Sequence, residues 1–504
     1  VASVSTAETS AQQRAKLLEN FYRYRATAIE EGSQQPVREF ILPRKGDASA
    51  LDKMAGVLMD QGVEVKRATA AFSNGGKQYP AGTYVIPLAQ PSKRLIRTLL
   101  DAQVDMEEDF LKEQERRRRK KLPDQIYDIT AWSLPLLFNV ECVAAGAPSQ
   151  GSFEAVTAAS LNTGTVKGGP ATVAYLVPWG SAGARFLTSA LRHGLRVHST
   201  DKPFKQNSQT FDRGTLILKV LENQPSIHDT VRKLAASSGA EVHATNTGWV
   251  DEGVNFGSRF VTHLKKPVVA MAWDVPTSSG SAGHARFVLE RQYNYPLTAV
   301  RTQVLASTDL SRFDVIILPD AGGAGYANVL GPNGLRRLRE WLSAGGTLIG
   351  IGGAVSYLAD SRVGLLAVSA ENLPRPAGAE PPRRAETGGP GGQQAQQPAQ
   401  DARVPGKILA DEKAFEAAIQ AENEQPDTVP GVLVRARLDQ DHWITSGAGE
   451  TVTAMYVGRG IFTPVKLDRG INAGVFLGPE QLQASGYLWK ENRQQLAHKP
   501  LLLV

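Results

Sequence analysis

The residues best placed for chemistry surround a tight turn at positions 350–354. Residues 347–351 form a short apolar run that ends in Gly352-Gly353, and a segment of helical period follows directly. A strand, a sharp turn and a helix in this order predict a nucleophile elbow, which presents one side chain at the tip of the turn. Covalent catalysis would require a nucleophile there, and glycine supplies no side chain. The sequence therefore predicts an elbow without an attacking group.

The segments that must position this turn alternate between strand and helix. Segments of helical period at 283–290 and 335–342 separate short apolar runs. The apolar runs predict strands at 268–273, 300–305, 315–318 and 347–351. Alternation of this kind predicts a parallel sheet covered by helices.

Two nearly identical loops each follow a predicted first strand. Gly180-Ser-Ala-Gly-Ala-Arg-Phe186 returns as Gly280-Ser-Ala-Gly-His-Ala-Arg-Phe287. Such a loop directs backbone N–H groups and a helix N-terminus toward one point, which suits a carboxylate or a phosphate. The simpler interpretation, which the lack of an adjacent lysine favours, is that the two serines cap helices. On the first interpretation Ser281, Gly283 and His284 are candidate ligand-binding residues.

The eight histidines and the single cysteine do not predict a metal site. A zinc hydrolase brings imidazoles and a carboxylate together, usually with two ligands at helical or turn spacing. The nearest approach to that spacing is His198-Ser-Thr-Asp201, at a predicted strand end. Cys142 alone excludes an internal disulfide and fits either a reducing compartment or a secreted protein. We therefore predict no catalytic residue and no metal ligand in this chain.

Composition is that of an ordinary globular protein of 504 residues, which at about 150 residues per domain predicts three or four domains. Lysine and arginine total 56 and aspartate and glutamate 50, a net charge of +6 that does not point to nucleic acid. No run approaches the roughly 18 apolar residues that span a membrane. The chain starts with Val1 without a signal-peptide pattern, so we expect a fragment or a processed product.

A constant offset of 132 residues relates two parts of the chain. The glycine pairs Gly62/Gly194 and Gly82/Gly214 share it, and so do the aromatic residues at 72 and 204. Unrelated loops would not keep one register, so the offset indicates an internal duplication of an α/β unit. The predicted units lie at 36–104 and 151–264.

The remaining segments have simpler predictions. Residues 1–35 are a connecting helix, and residues 105–150 hold a charged bridging helix at 106–121 and an apolar segment. Residues 265–504 form the last domain. Within it, residues 374–402 are rich in Pro, Gly, Gln and Ala and predict a disordered insertion. A helix at 411–421 and several strands follow.

The elbow Gly350-Ile-Gly352-Gly-Ala354 resembles that of class I glutamine amidotransferase-like domains, which reads Gly-x-Cys-x-Gly. The resemblance implies a flavodoxin-like parallel-sheet domain after the repeated α/β units, and it puts Gly352 where that family carries its cysteine. It also implies that Asp320, Gly322 and Gly323 belong to the glycine loop on the oxyanion side. The implied pocket has hydrogen-bond donors and no nucleophile.

Several short sequence segments resemble the accessory region that follows the catalytic domain in large bacterial zinc carboxypeptidases of the carboxypeptidase A type. They lie at 19–25, 79–90, 127–137, 441–443 and 485–489. The family's His-x-x-Glu pair and later zinc-binding histidine are not found in this sequence.

This second resemblance implies a function. The chain would be the non-catalytic C-terminal portion of a zinc metallocarboxypeptidase that is secreted or periplasmic. Zinc would belong to the N-terminal peptidase domain of the same polypeptide, which would be the chain's partner. The alternative is a binding module for an anionic small molecule or a peptide end.

Overall fold

The computed structural model describes residues 2–103, 106–161, 163–322, 325–373, 410–411 and 424–504. The predicted insertion at 374–402, residues 412–421 of the predicted helix and Gly323 lie outside the described residues. The protein is mixed α/β, with several sheets that include one parallel sheet.

The chain begins with two consecutive helices, α1 (Ala2–Gln12) and α2 (Arg14–Gln34). Of these helices only Ala28 and Gly32 are buried. A Cβ atom on Gly32 would overlap the Leu88 carbonyl, so the last turn of α2 lies directly on the first α/β unit. The rest of the predicted connecting helix extends into solvent.

The first unit is a five-stranded sheet with helices packed against it. In chain order it contains β1 (Glu39–Leu42), α3 (Ala48–Asp60), β2 (Lys66–Ala68), β3 (Phe72–Asn74), β4 (Lys77–Tyr79), β5 (Tyr84–Pro87) and α4 (Lys93–Leu100). After the bridging helix α5 (Glu108–Arg119) and the short helix α6 (Leu134–Phe138), the strands β6 (Val143–Ala145) and β7 (Phe153–Ala155) complete the order β6-β1-β5-β2-β7.

The second unit is a six-stranded sheet built in the same way. It contains β8 (Thr165–Lys167), β9 (Ala174–Val177), α7 (Ser181–Arg192), β10 (Val197–Thr200), β11 (Phe204–Gln206), β12 (Gln209–Phe211), β13 (Leu216–Lys219), α8 (Ile227–Ser238), β14 (Glu241–Thr245), β15 (Glu252–Gly253) and β16 (Val261–Leu264). Its sheet order is β16-β10-β13-β9-β14-β8, while β12, β11 and β15 form a small separate sheet.

The two units share their connectivity. In the first unit, β5 lies between β1 and β2 and is antiparallel to both. In the second unit, β13 lies between β9 and β10 and is also antiparallel to both. The paired glycines occupy matched left-handed turns, with φ of 74° and 73° at Gly62 and Gly194 and 85° and 82° at Gly82 and Gly214. The 132-residue offset therefore corresponds to equivalent positions in two similarly folded units.

A side-chain amide makes the same three hydrogen bonds in both units. Gln90 accepts the Glu64 N–H at 2.8 Å and donates to the Glu64 and Pro87 carbonyls. Asn223 accepts the Arg196 N–H at 2.8 Å and donates to the Arg196 and Lys219 carbonyls. Because these amides bond the backbone groups of residues 64 and 196, the second strand of each unit starts only after these residues, at Lys66 and at Val197.

The third domain contains a four-stranded sheet in the order β18-β17-β19-β20, with every pair parallel as predicted. Its elements are β17 (Val269–Trp273), α9 (Ser279–Arg286), β18 (Thr298–Arg301), α10 (Thr302–Leu305), β19 (Val315–Leu318), α11 (Gly325–Ser343, with a break at Gly331), β20 (Thr347–Gly350) and α12 (Ala354–Ala359). The prediction of one strand over 300–305 is wrong, because the chain turns into α10 after Arg301.

The end of the chain forms a separate antiparallel sheet with its own core. It contains β21 (Val429–Leu438), β22 (Thr451–Gly458), β23 (Asn472–Phe476), β24 (Gln483–Gly486), the helix Lys490–Leu496 and β25 (Pro500–Leu503). The order is β22-β21-β23-β25, and β24 also pairs with β21. These strands do not extend the parallel sheet.

The bridging helix α5 is tied to this last sheet through Arg118. The guanidinium donates to Asp427 at 2.7 Å and to Glu491 at 2.8 Å, and it lies 5.3 Å from the Trp489 ring centroid. Only 13% of the Arg118 side chain is exposed, so this arginine is part of a packed junction. The sequence predicted only a charged bridging helix, because two of the three carboxylates that Arg118 contacts are more than 300 residues away and only Glu115 is on the helix itself.

Candidate functional site

The predicted elbow is present between β20 and α12. Gly352 lies at the turn with φ of 58°, a left-handed conformation that favours glycine. The Gly353 N–H donates to Asp320 Oδ1 at 2.5 Å. A Cβ atom placed on Gly352 would lie 2.9 Å from the same oxygen. The tip of the elbow therefore faces the Asp320 carboxylate, which follows β19 in the chain.

The loop after β17 contacts the backbone of the same aspartate. The Asp320 N–H donates to Ser281 Oγ at 3.0 Å, and the Ser278 N–H donates to the Asp320 carbonyl at 2.7 Å. Ser278, and not Ser281, caps α9 by accepting the Ser281 N–H. Ser281, Asp320 and Gly352 are thus brought together, and the hypothesis that Ser281 is a helix cap is wrong.

The other predicted ligand-binding residues that the structure describes make no hydrogen bond to Ser281, Asp320 or Gly352. His284 is exposed on α9 and its side chain makes no hydrogen bond within the described part of the chain, and Gly283 is half-buried. Gly322 is exposed and its carbonyl accepts the Gly325 N–H at 3.1 Å. The structure therefore does not place His284 at the elbow.

The equivalent loop of the second unit already holds a carboxylate. Asp47 Oδ2 accepts the Ser181 N–H at 2.7 Å, while Oδ1 accepts the Ser49 and Ala50 N–H groups at 3.0 and 3.1 Å. One aspartate therefore satisfies donors at the start of both α3 and α7. The hypothesis that Ser181 caps its helix is wrong, because the N-cap position is Gly180 and no side chain caps there.

Sequence reasoning predicted that a carboxylate suits these loops and missed that the protein supplies it. Asp47 directly precedes a helical segment, a pattern that signals an N-cap. Nothing in that local pattern indicates a contact with Ser181, which is 134 residues away. The serine N–H of each loop therefore already has an acceptor within the protein, Asp47 for Ser181 and Ser278 for Ser281.

Two buried tyrosines, Tyr326 and Tyr357, lie near the elbow. Their ring centroids are 5.9 Å apart, and the Tyr326 hydroxyl donates to the Pro319 carbonyl at 2.8 Å. Burial raises the pKa of both phenols, and the nearby Asp320 charge adds to the rise at Tyr326. Protonated phenols can donate hydrogen bonds but cannot act as nucleophiles at neutral pH.

Three histidines of the second unit take structural positions. His228 bonds the Tyr175 hydroxyl at 2.8 Å, and His243 lies 2.9 Å from Glu241. His198 lies 3.5 Å from Glu222, and burial lowers the pKa of both His198 and His243. Across the described ranges no group of three or more His, Cys, Asp or Glu side chains is arranged to hold a metal ion.

Comparisons with known proteins return no match to a family model, to a curated protein or to a solved structure. Of the helices that the structure describes, none has the length and apolar character needed to cross a membrane.

Proposed function

We propose that this chain is the non-catalytic C-terminal portion of a zinc metallocarboxypeptidase. In this proposal the zinc and the catalytic residues belong to an N-terminal peptidase domain of the same polypeptide, and the protein is secreted or periplasmic. The present chain holds that domain and does not itself cleave amides. The proposed family rests on the resemblance of five short sequence segments spread along the chain. Two structural features support the non-catalytic role.

The observation that carries the proposal is the exposed face of α2. The C-terminal turn of the helix is fixed to the first unit, where Glu31 pairs with Lys93 at 2.6 Å and with Arg94 at 2.7 Å. Further upstream the helix turns large apolar side chains to solvent, namely Leu17, Leu18, Phe21, Tyr22 and Tyr24. A contiguous apolar surface of this kind marks an interaction site. We assign it to the peptidase domain, because a rigid anchored helix can hold a neighbouring domain in a fixed orientation.

The elbow supports a role without acyl-transfer chemistry. In a glutaminase a thiolate would attack at this position and backbone donors would stabilise the oxyanion. Here the Gly353 N–H, which lies at the start of α12, already donates to the Asp320 carboxylate. A second negative charge developing beside that carboxylate would be repelled.

The finer fold assignment is part of the same proposal. We propose that the third domain is flavodoxin-like and similar to class I glutamine amidotransferase-like domains. Its support is the parallel order β18-β17-β19-β20 and the left-handed Gly352, two residues after the end of β20.

The proposal is tested on the protein isolated from its source with an antibody against this chain. We expect an intact mass larger than that of the 504 residues, about one zinc per polypeptide, and release of C-terminal residues that a chelator abolishes. An isolated species of 504 residues that lacks zinc would contradict the proposal.

The interface is tested separately in the longer polypeptide. Replacing Leu17 and Phe21 by glutamine should loosen the contact of the peptidase domain and speed proteolysis of α2, while leaving the melting of this chain alone unchanged. Leu467→Gln is the matched control, because Leu467 is also exposed and lies far from α2 in sequence. Equal proteolysis of the two variants would show that the apolar face covers nothing.

One observation favours the alternative function, which is binding of an anionic small molecule or a peptide end. It lies not at the predicted loops, where the Ser181 and Ser281 N–H groups already have acceptors, but in a groove along β18, at the opposite edge of the parallel sheet from β20.

A further inference from the structure

A groove of about 430 Å³ lies along β18, the edge strand of the parallel sheet. All four residues of the strand, Thr298–Arg301, contribute to its wall. Val268, Val304 and Phe313 add apolar surface, and both valines are about half exposed. A volume of this size accommodates one or two side chains of a ligand, within the usual range of about 300–1,000 Å³ for binding clefts.

The strand beside the groove has a free edge. Within the described residues β18 pairs with β17 alone, in parallel register from Ala270↔Thr298 to Trp273↔Arg301. Alternate residues of an edge strand direct their N–H and C=O groups away from the sheet, where they can pair with another strand. Four successive residues of this strand line the groove, so the groove runs along the edge strand.

The groove also carries positive charge from two arginines that form no salt bridge within the described residues. Arg301 and Arg312 both line it, and in the described part of the chain neither has a carboxylate oxygen within 4.0 Å. A third arginine, Arg337, donates to the carbonyl of the groove residue Thr308 at 2.6 Å. Hydrogen bonds from the Ser311 hydroxyl and N–H to Oδ1, together with the charges of Arg312 and Arg337, lower the pKa of Asp309, so this carboxylate balances part of the positive charge.

We propose that an extended acidic peptide binds here by adding a strand to the free edge of β18, with carboxylate side chains on Arg301 and Arg312 and apolar side chains in the groove. Successive residues of an added strand point to opposite faces. A peptide that alternates acidic and apolar residues can therefore present carboxylates to the arginines and apolar side chains to the groove. Charge-assisted hydrogen bonds from guanidinium to carboxylate supply specificity for acidic sequences. This surface is independent of the proposed peptidase accessory role.

The probe is a fluorescent six-residue peptide of alternating glutamate and valine, blocked at both ends, titrated against the purified chain by anisotropy. We expect saturable binding that weakens with added salt. The double variant Arg301→Gln/Arg312→Gln should weaken binding by about tenfold or more. Arg336→Gln is the matched control: Arg336 is an exposed arginine of the same domain that pairs with Glu340 and does not line the groove.

Two further peptides test the strand-addition geometry without changing the protein. A peptide with N-methyl groups on alternate residues cannot pair along one edge, so one of the two methylation registers should lose binding. A lysine-valine peptide should not bind. Unchanged affinity of the double variant, equal affinity of both N-methylated registers and the parent peptide, or equal binding of the lysine peptide would each overturn the proposal, as would the absence of binding at millimolar peptide.

Discussion

Asp47 of the first unit accepts the Ser181 N–H of the second unit at 2.7 Å while it caps its own helix α3 through Ser49 and Ala50. One carboxylate therefore satisfies the N-terminal donors of two helices that belong to different units. Its negative charge also interacts favourably with the positive ends of both helix dipoles. Nearby, Arg185 of α7 reaches back to the Ser49 hydroxyl, so the contact is part of a junction between the units.

Replacing Asp47 by alanine should lower the free energy of unfolding by about 1–2 kcal/mol, because helix donors lose their acceptor. Asp47→Asn keeps one acceptor oxygen and should lose less. Urea denaturation of both variants provides the measurement. Asp229→Ala, at an exposed position in the first turn of α8, should change stability by less than about 0.5 kcal/mol. If Asp47→Ala were as mild as Asp229→Ala, the carboxylate would not stabilise the junction.

The matched amides Gln90 and Asn223 should have matched effects on stability. Each alanine variant leaves one N–H and two carbonyls of the unit without their partner, which should cost about 1–3 kcal/mol. Thermal melting of Gln90→Ala, Asn223→Ala and the exposed control Gln78→Ala tests this. Loss of stability in one unit only would show that the shared hydrogen bonds are not energetically equivalent.

Gly352→Cys should destabilise the third domain by about 1–3 kcal/mol, because the position combines φ of 58° with close approach to Asp320. Gly345→Cys is the matched control: its φ is 100° and a Cβ there meets nothing within 4 Å. The control therefore measures the backbone cost alone.

The introduced thiol reports on the same geometry. The Asp320 charge should keep a cysteine at position 352 protonated, so its alkylation should be slow and should speed up when Asp320→Ala is added. Alkylation at the rate of a free thiol in Gly352→Cys itself would mean that the carboxylate does not face the elbow tip.

Glu39 should make stability depend on pH. It is buried, and burial raises its pKa although Ser149 and Asn74 both donate to Oε1. Because the folded pKa lies above the unfolded value, the native state binds more protons in that window, and stability falls as pH rises through it. Glu39→Gln keeps the Oε1 acceptor and removes the charge.

We therefore expect Glu39→Gln to gain stability relative to the native protein as pH rises from below the unfolded pKa of about 4.3 to neutrality. Melting temperatures across this range measure the difference. Glu64→Gln, at an exposed position, should show no such trend. A constant difference between Glu39→Gln and the native protein at all pH values would contradict the assigned cause.

The purified chain should hydrolyse neither peptide C-termini nor glutamine. For the peptidase, the sequence holds none of the family's zinc-binding motifs, so added zinc should produce no chelator-sensitive release of a C-terminal residue. For the glutaminase, Gly352 provides no nucleophile and Asp320 occupies a donor of the pocket. Assays of both activities with and without zinc provide the measurement, and zinc-dependent turnover would reveal a site formed by other residues.

The sequence by itself determined the local elements and the repeat. The apolar runs at 315–318 and 347–351 and the glycines after them predicted strands and an elbow, because side-chain periodicity and glycine turns depend on neighbours in the chain. The 132-residue offset predicted equivalent turns, and the φ values of Gly62 and Gly194 agree within a degree.

Only the tertiary structure decided what surrounds those elements. Asp47 meets Ser181 from 134 residues away, Asp320 meets Gly353 from 33, and Arg118 meets Asp427 from 309. Each partner is an ordinary charged residue whose local pattern indicates a cap or a solvated face. The contacts form because packing brings distant helix ends and strand ends together, and buried donors and charges must then find partners.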